Sequence, residues 1–120
     1  MDRIYHTTFT RIGEHARESL TDNMLITFRE GAPEDLESYC FIHRHGEIRG
    51  ELRVGGKVVI NGATFPITAV GAVATDNLRE LGHITLRFDA AGQAEFPGSM
   101  HLAGSIPTDI HIGSDFSIFA

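Results

Sequence analysis

Residues 57–73 read KVVINGATFPITAVGAV. Two arms of β-branched and aromatic residues flank Asn61-Gly62, the pair a type I′ turn favours because both central residues must adopt positive φ. The stretch predicts a tight β-hairpin. Gly71, inside the second arm, predicts a bulge or sharp bend of the kind that curls a sheet toward closure.

The same pattern spreads outward from the hairpin. Residues 83–88 (HITLRF) alternate in strand fashion, and further strands are expected at 99–102 and 115–119. Upstream, residues 4–12 (IYHTTFTRI) put Ile4, His6 and Thr8 on one face and Tyr5, Thr7 and Phe9 on the other. Residues 24–28 (MLITF) have strand length. Residues 39–43 form another strand, whose apolar alternation is expected to continue through Ile48 to Val54. Helical signals are few. Residues 31–38 (GAPEDLES) read as a turn or a one-turn helix with Pro33 early and acids near its start. Residues 75–81 (TDNLREL) open with Thr75 as a capping residue and stop before Gly82, and residues 14–20 offer one or two further turns.

Seven or eight short, evenly spaced strands with one to three short helical turns predict an all-β fold. A compact, mostly antiparallel, closed or nearly closed β-barrel is favoured, because few residues remain to cover the edges of an open sheet. No repeat or Pro/Ser-rich linker divides the chain, so residues 1–120 are expected to form one domain.

Composition narrows the functional classes. Hydrophobic residues make up 42% and charged residues 22%, as in a globular protein with a real core. The net charge of −6, with scattered basic residues, disfavours nucleic acid and anionic lipid as partners. No apolar run approaches the roughly 18–20 residues that a bilayer crossing needs, so no direct membrane insertion is expected. The start, MDRIYHTTFT, shows no secretory signal pattern, and the single cysteine, Cys40, fits a reducing cytoplasm. Cys40 reads as a small buried hydrophobe within an apolar run. Gly55-Gly56 reads as a turn, without the lysine pattern of a phosphate loop. Seven histidines in 120 residues direct attention to imidazole chemistry.

That chemistry concentrates at residues 39–50, YCFIHRHGEIRG. In an extended chain His43, His45 and Glu47 share a face, with the two imidazoles about 6.5–7 Å apart along the backbone. Three readings stay open on residue types alone. The first is a metal-binding, cupin-like β-barrel using His43, His45 and a carboxylate, although Glu47 follows too soon and Glu51 slightly late for that pattern. His83, His101 or His111 would then be candidates for the remaining position. The second is a histidine nucleophile, with one ring nitrogen reactive and the other held by a partner such as Glu47 or His45. Arg44, Arg49, Arg79 or Arg87 would supply charge for phosphoryl oxygens. The third is ordinary half-exposed surface, which residue types alone favour.

Longer stretches change the weighting. Residues 5–13 (YHTTFTRIG), 23–47 (NMLITFREGAPEDLESYCFIHRHGE), 65–71 (FPITAVG), 76–89 (DNLRELGHITLRFD), 94–98 (AEFPG) and 101–104 (HLAG) resemble the glucitol/sorbitol-specific IIA component of the bacterial phosphoenolpyruvate-dependent sugar phosphotransferase system (PTS). The resemblance covers nearly the whole chain, in one order. It implies a small β-barrel and a cytoplasmic phosphotransferase component that carries a transient phosphohistidine. Position for position, His43 in the FIHRHGE run would be phosphorylated on its tele nitrogen, Nε2. The donor would be the carrier protein HPr. The acceptor would be a cysteine on the IIB part of the glucitol/sorbitol permease, whose IIB and IIC components phosphorylate the sugar during uptake. No metal or organic cofactor is implied for this step. His45 is then a candidate phosphoryl stabiliser, Glu47 a candidate orienter of the ring and His83 a candidate neighbour. An exposed edge strand would permit a homo-oligomer.

Overall fold

A computed structural model describes all residues, Met1–Ala120. The strands are β1 (Arg3–Ile12), β2 (Met24–Arg29), β3 (Phe41–His43), β4 (Lys57–Ile60), β5 (Ala63–Val70), β6 (Ile84–Arg87), β7 (Ser99–Leu102) and β8 (Asp115–Phe119). They close into a barrel in the order β1-β3-β2-β6-β7-β5-β4-β8, with β8 returning to β1. The expected closed, mostly antiparallel β-barrel is therefore the fold. Two neighbour pairs, β2–β3 and β6–β7, run parallel. Each parallel pair needs a crossover between its strands, and residues 30–40 and 88–98 supply them. Closure also gives every strand two neighbours, so the exposed edge that would have invited strand pairing between copies does not exist.

The hairpin forms as its sequence dictates. Lys57 to Ile60 pair with Pro66 to Ala63, and Asn61 and Gly62 take φ of 50° and 86°. The bend assigned to Gly71 lies elsewhere: β5 ends at Val70, and its register shift falls between Ile67 and Ala69 opposite β7.

The inner face of β1 carries Tyr5, Thr7 and Phe9, as the alternation predicted. Phe9 stacks on Phe116 of β8 with ring centroids 5.6 Å apart, and both side chains are fully buried. Together with Leu25, Phe41, Val58, Ile60, Leu86 and other apolar side chains they form one core of 22 buried residues. Burial of each such side chain contributes about 1.5–3 kcal/mol.

Three short helices decorate the barrel: a 3-10 helix at Ala16–Asp22, α1 at Glu34–Glu37 and α2 at Ala74–Leu81. Helix α2 stops where Gly82 adopts a left-handed conformation, φ 62°. Thr75 does not cap it. The N-cap position belongs to Val73, and the Thr75 hydroxyl instead accepts the backbone N–H of Leu52 at 3.2 Å.

That bond helps explain a second correction. The strand expected through Val54 ends at His43. Ile48 and Leu52 still reach the core, yet residues 44–56 form no ladder. Their backbone groups bond singly, with Arg49 N–H on the Ile4 carbonyl and Leu52 N–H on Thr75, while Val54 stays exposed. The apolar spacing was real, but it buries a loop by two anchors.

Candidate functional site

His43 is the last residue of β3, a three-residue strand buried throughout. Parallel β2 on one side and antiparallel β1 on the other fix its backbone, with Arg29 and Phe9 as register partners. Its side chain has no solvent exposure at all. Tyr5 and Phe116 meet the ring edge-on at centroid distances of 6.0 and 6.1 Å.

Each ring nitrogen has a defined neighbour. Nε2 lies 2.8 Å from the carbonyl oxygen of Gly82. Nδ1 lies 3.1 Å from the carbonyl oxygen of Arg44 and 3.4 Å from the Tyr5 hydroxyl. The Thr7 hydroxyl donates a short bond to the same Arg44 carbonyl, and the backbone N–H of Gly46 donates to the Tyr5 oxygen at 3.3 Å. The loop after β3 is thus turned inward by two side chains of β1.

Two carbonyls facing one imidazole would suit a cation, since both nitrogens would then donate. Burial opposes this. Desolvation pushes the His43 pKa below its ordinary 6.5, outweighing the Gly82 and Arg44 carbonyls, with His45 adding a downward pull and Glu30 an upward one. A neutral ring carries one proton, so only one carbonyl is served at a time.

Gly82 is the least replaceable neighbour. A Cβ there would come within 2.8 Å of both His43 Cε1 and Arg29 Cβ, in a backbone conformation that L side chains disfavour. The turn between α2 and β6 consequently sits directly on the tele side of the ring.

The other expected residues separate. His43, His45 and Glu47 do not share a face, because the extended chain ends at His43 and residue 44 turns its carbonyl inward. His45 is exposed and lines a polar recess of about 240 Å³ with His6, Thr7, Thr8, Arg44 and Gly46. Glu47 lines a different recess with Arg3, Ile4, Tyr5, His6 and Arg49, and it makes no hydrogen bond to His43. His83 follows Gly82; its Nδ1 lies 3.0 Å from the Thr27 carbonyl and its ring tilts against Phe28. Among the arginines, Arg79 is paired with Asp76 and Glu51, and Arg87 lies over the Phe96 ring. Cys40 is buried and its thiol is pushed up to about 11 by desolvation, as befits a packed hydrophobe.

The cupin-like reading loses its geometric basis. No three His, Cys, Asp or Glu side chains converge, and His101 and His111 bond instead to Asp89 and Ser114. Sequence reasoning missed Tyr5, Thr7 and Arg29, and used Gly82 only as a helix stop. A tyrosine and a threonine on the inward face of β1 were visible as buried polar positions, but nothing local connected them to residue 43.

The comparisons with known proteins agree. Residues 4–117 match the family model described as the PTS system glucitol/sorbitol-specific IIA component. Proteins named PTS system glucitol/sorbitol-specific EIIA component from Shigella flexneri and from Escherichia coli (strain K12) are each 60% identical over 114 residues, spanning 95% of this chain and 93% of theirs. The crystal structure of a PTS system IIA component from Enterococcus faecalis V583 superposes with a TM-score of 0.82 at 26% identity, covering 97% of this chain and 100% of that one.

Proposed function

The chain belongs to the glucitol/sorbitol-specific IIA family of the bacterial PTS, and from that membership we propose that residues 1–120 form a single cytoplasmic domain relaying a phosphoryl group from HPr to the IIB cysteine of a glucitol/sorbitol permease through Nε2 of His43. The observation that carries this reading is the asymmetry of the two covers on the imidazole. Nδ1 faces the carbonyl of the very next residue, which the chain itself keeps in place and which accepts from Nδ1 whenever that nitrogen carries the proton. Nε2 is covered by the carbonyl of a left-handed turn between a helix and a strand, which also accepts the Thr27 hydroxyl at 3.0 Å, so transfer at Nε2 requires this turn to move aside.

With its proton on Nε2 the ring donates to Gly82 over the shorter distance, 2.8 Å, and Nδ1 accepts from the Tyr5 hydroxyl; we take this as the resting form. This form is not nucleophilic at Nε2. In the reactive tautomer the proton sits on Nδ1 and is donated to Arg44, and the Gly82 turn has moved aside. The Nε2 lone pair then attacks phosphorus, the P–N bond to the HPr histidine breaks, and its electron pair returns to that imidazole. The Nδ1–H bond to the Arg44 carbonyl stabilises the positive charge that phosphorylation leaves on the ring. In the second transfer the IIB thiolate attacks the same phosphorus, and the P–Nε2 electron pair returns to His43. His83, with Nδ1 occupied at Thr27, keeps Nε2 available for a phosphoryl oxygen. His45 stays exposed in its own recess, and the Arg44 carbonyl takes the orienting role first considered for Glu47.

The test is radiolabelling with phosphoenolpyruvate, the upstream PTS enzyme and HPr. One acid-labile, base-stable phosphate per chain is expected, lost in His43→Ala and merely slowed in His45→Ala. Undiminished labelling of the His43→Ala protein overturns the assignment.

A further inference from the structure

The transfer steps use no side chain of β2, yet β2 places a buried hydroxyl beside the reactive centre. Thr27 has Phe41 of β3 and Ile84 of β6 as register partners, and it has no solvent exposure. Its hydroxyl donates to the Gly82 carbonyl at 3.0 Å. Its own carbonyl lies 3.0 Å from Nδ1 of His83, which must be the donor there because a carbonyl only accepts. One buried threonine thus holds two successive residues of the α2–β6 turn.

The Gly82 oxygen has two donors, His43 Nε2 at 2.8 Å and Thr27 Oγ1 at 3.0 Å. Phosphorylation removes the first, since phosphorus takes the place of the Nε2 proton. A phosphoryl oxygen carried on Nε2 stands at about hydrogen-bond distance from that nitrogen, as the Gly82 oxygen does in the unphosphorylated protein. The two oxygens compete for one corner of the site, and the carbonyl must leave when the phosphoryl group arrives. Thr27 cannot follow it, because β3 and β6 fix its backbone on both sides. Its O–H would be left as a buried donor without an acceptor, a costly state unless it turns to the incoming oxygen.

We infer that Thr27 binds the phosphoryl group: when the α2–β6 turn withdraws, its hydroxyl exchanges the Gly82 carbonyl for a phosphoryl oxygen on Nε2. The phosphoryl group itself comes from the relay reading, on which this inference rests. A hydrogen bond to an anionic oxygen is about twice as strong as one to a neutral carbonyl, so the exchange favours the phosphorylated state. Thr27 then serves the negative end of the phosphohistidine while the Arg44 carbonyl serves the positive ring through Nδ1–H. A hydroxyl that merely held the turn shut would act in the opposite direction, since its loss would ease the withdrawal of Gly82.

That opposition in sign makes the test. Thr27→Val keeps the side chain's shape and removes the O–H, whereas Thr27→Ser keeps the O–H. Each is mixed with an equal amount of radiolabelled phospho-HPr, without phosphoenolpyruvate, and the division of label is read at equilibrium. The equilibrium constant for phosphorylation of Thr27→Val should fall about tenfold, and Thr27→Ser should recover most of it. Amide NMR spectra of the unphosphorylated variants establish that they are folded. A Thr27→Val constant equal to or above the parent's overturns the inference, as does a loss that Thr27→Ser does not recover. Should Thr27→Val not fold, a structure of the phosphorylated parent decides. Thr27 Oγ1 is expected within about 3 Å of a phosphoryl oxygen, and an Oγ1 still bonded to Gly82 overturns the inference. Parent-like Thr27→Val, with the label lost in His43→Ala, would remove Thr27 alone and leave the relay standing. Undiminished labelling of His43→Ala would remove both.

Discussion

The carbonyl oxygen of Gly82 stands 2.8 Å from Nε2 of His43, so the nitrogen proposed to carry phosphate is capped in the unliganded protein. The cap comes from residues 39 positions away in sequence, at the only left-handed turn joining α2 to β6. A histidine left open to water would be hydrated and free to take alternative rotamers. A capped one keeps its orientation until a partner arrives.

The cap predicts a tautomer. Nitrogen-15 NMR of histidine-labelled protein above pH 7 should show His43 protonated at Nε2 and bare at Nδ1. Burial raises the Tyr5 pKa, against the opposing Gly46 N–H, so the phenol remains a donor there. Tyr5→Phe removes that donor and should shift the population toward the Nδ1-protonated form, at a stability cost of about 1 kcal/mol. An unchanged nitrogen pattern in Tyr5→Phe would deny the hydroxyl any hold on the ring.

Substituting the cap residue should be costly. Gly82→Ala puts a methyl within 2.8 Å of His43 Cε1 and Arg29 Cβ at positive φ. Thermal or denaturant unfolding should report a loss of about 1–3 kcal/mol, with the His43 ring resonances displaced. A variant as stable as the parent, with unmoved His43 signals, would mean that the turn does not press on the ring.

Stability should fall on mild acidification because of His43. Its folded pKa lies below the ordinary 6.5, mainly through desolvation. Above that ordinary value the ring is neutral in both states and nothing is lost. As pH falls below it, the unfolded chain takes up a proton that the buried site refuses, so stability declines until the folded pKa is reached. His43→Gln should flatten this part of the pH–stability curve. A parent curve already flat through this window would contradict the buried neutral ring.

Cys40 should be chemically quiet. Its thiol is buried and pushed up to about 11 by desolvation, so almost no thiolate exists near neutrality. Aromatic disulfide reagents at pH 8 should label it only as fast as the protein opens, and denaturant should release the full thiol at once. Rapid labelling of the folded chain would show β3 to be loosely held.

How much was legible in the chain can be traced residue by residue. The Asn61-Gly62 hairpin, the inward set Tyr5, Thr7 and Phe9, and the stop at Gly82 follow from local rules, because turn geometry, strand period and left-handed caps depend on neighbours only a few residues apart. His43 stood out through its histidine-rich surroundings and the family resemblance of residues 23–47. The strand projected through Val54 failed for a long-range reason: Thr7, Tyr5 and Thr75 compete for the backbone and position of that loop, and none lies near it in sequence.

By itself, then, the sequence determined an all-β chain with short strands, one hairpin register and a histidine set at the end of an apolar strand. Periodicity and turn chemistry are properties of adjacent residues, and they survive without knowledge of the fold. Only the closed barrel decided that His43 and His45 part company, one buried and one exposed, and that Arg44 and Gly82 carbonyls face the two ring nitrogens. Those relations arise where β1, β2, β3 and the α2–β6 turn meet, and closure of the sheet is the event that brings them together.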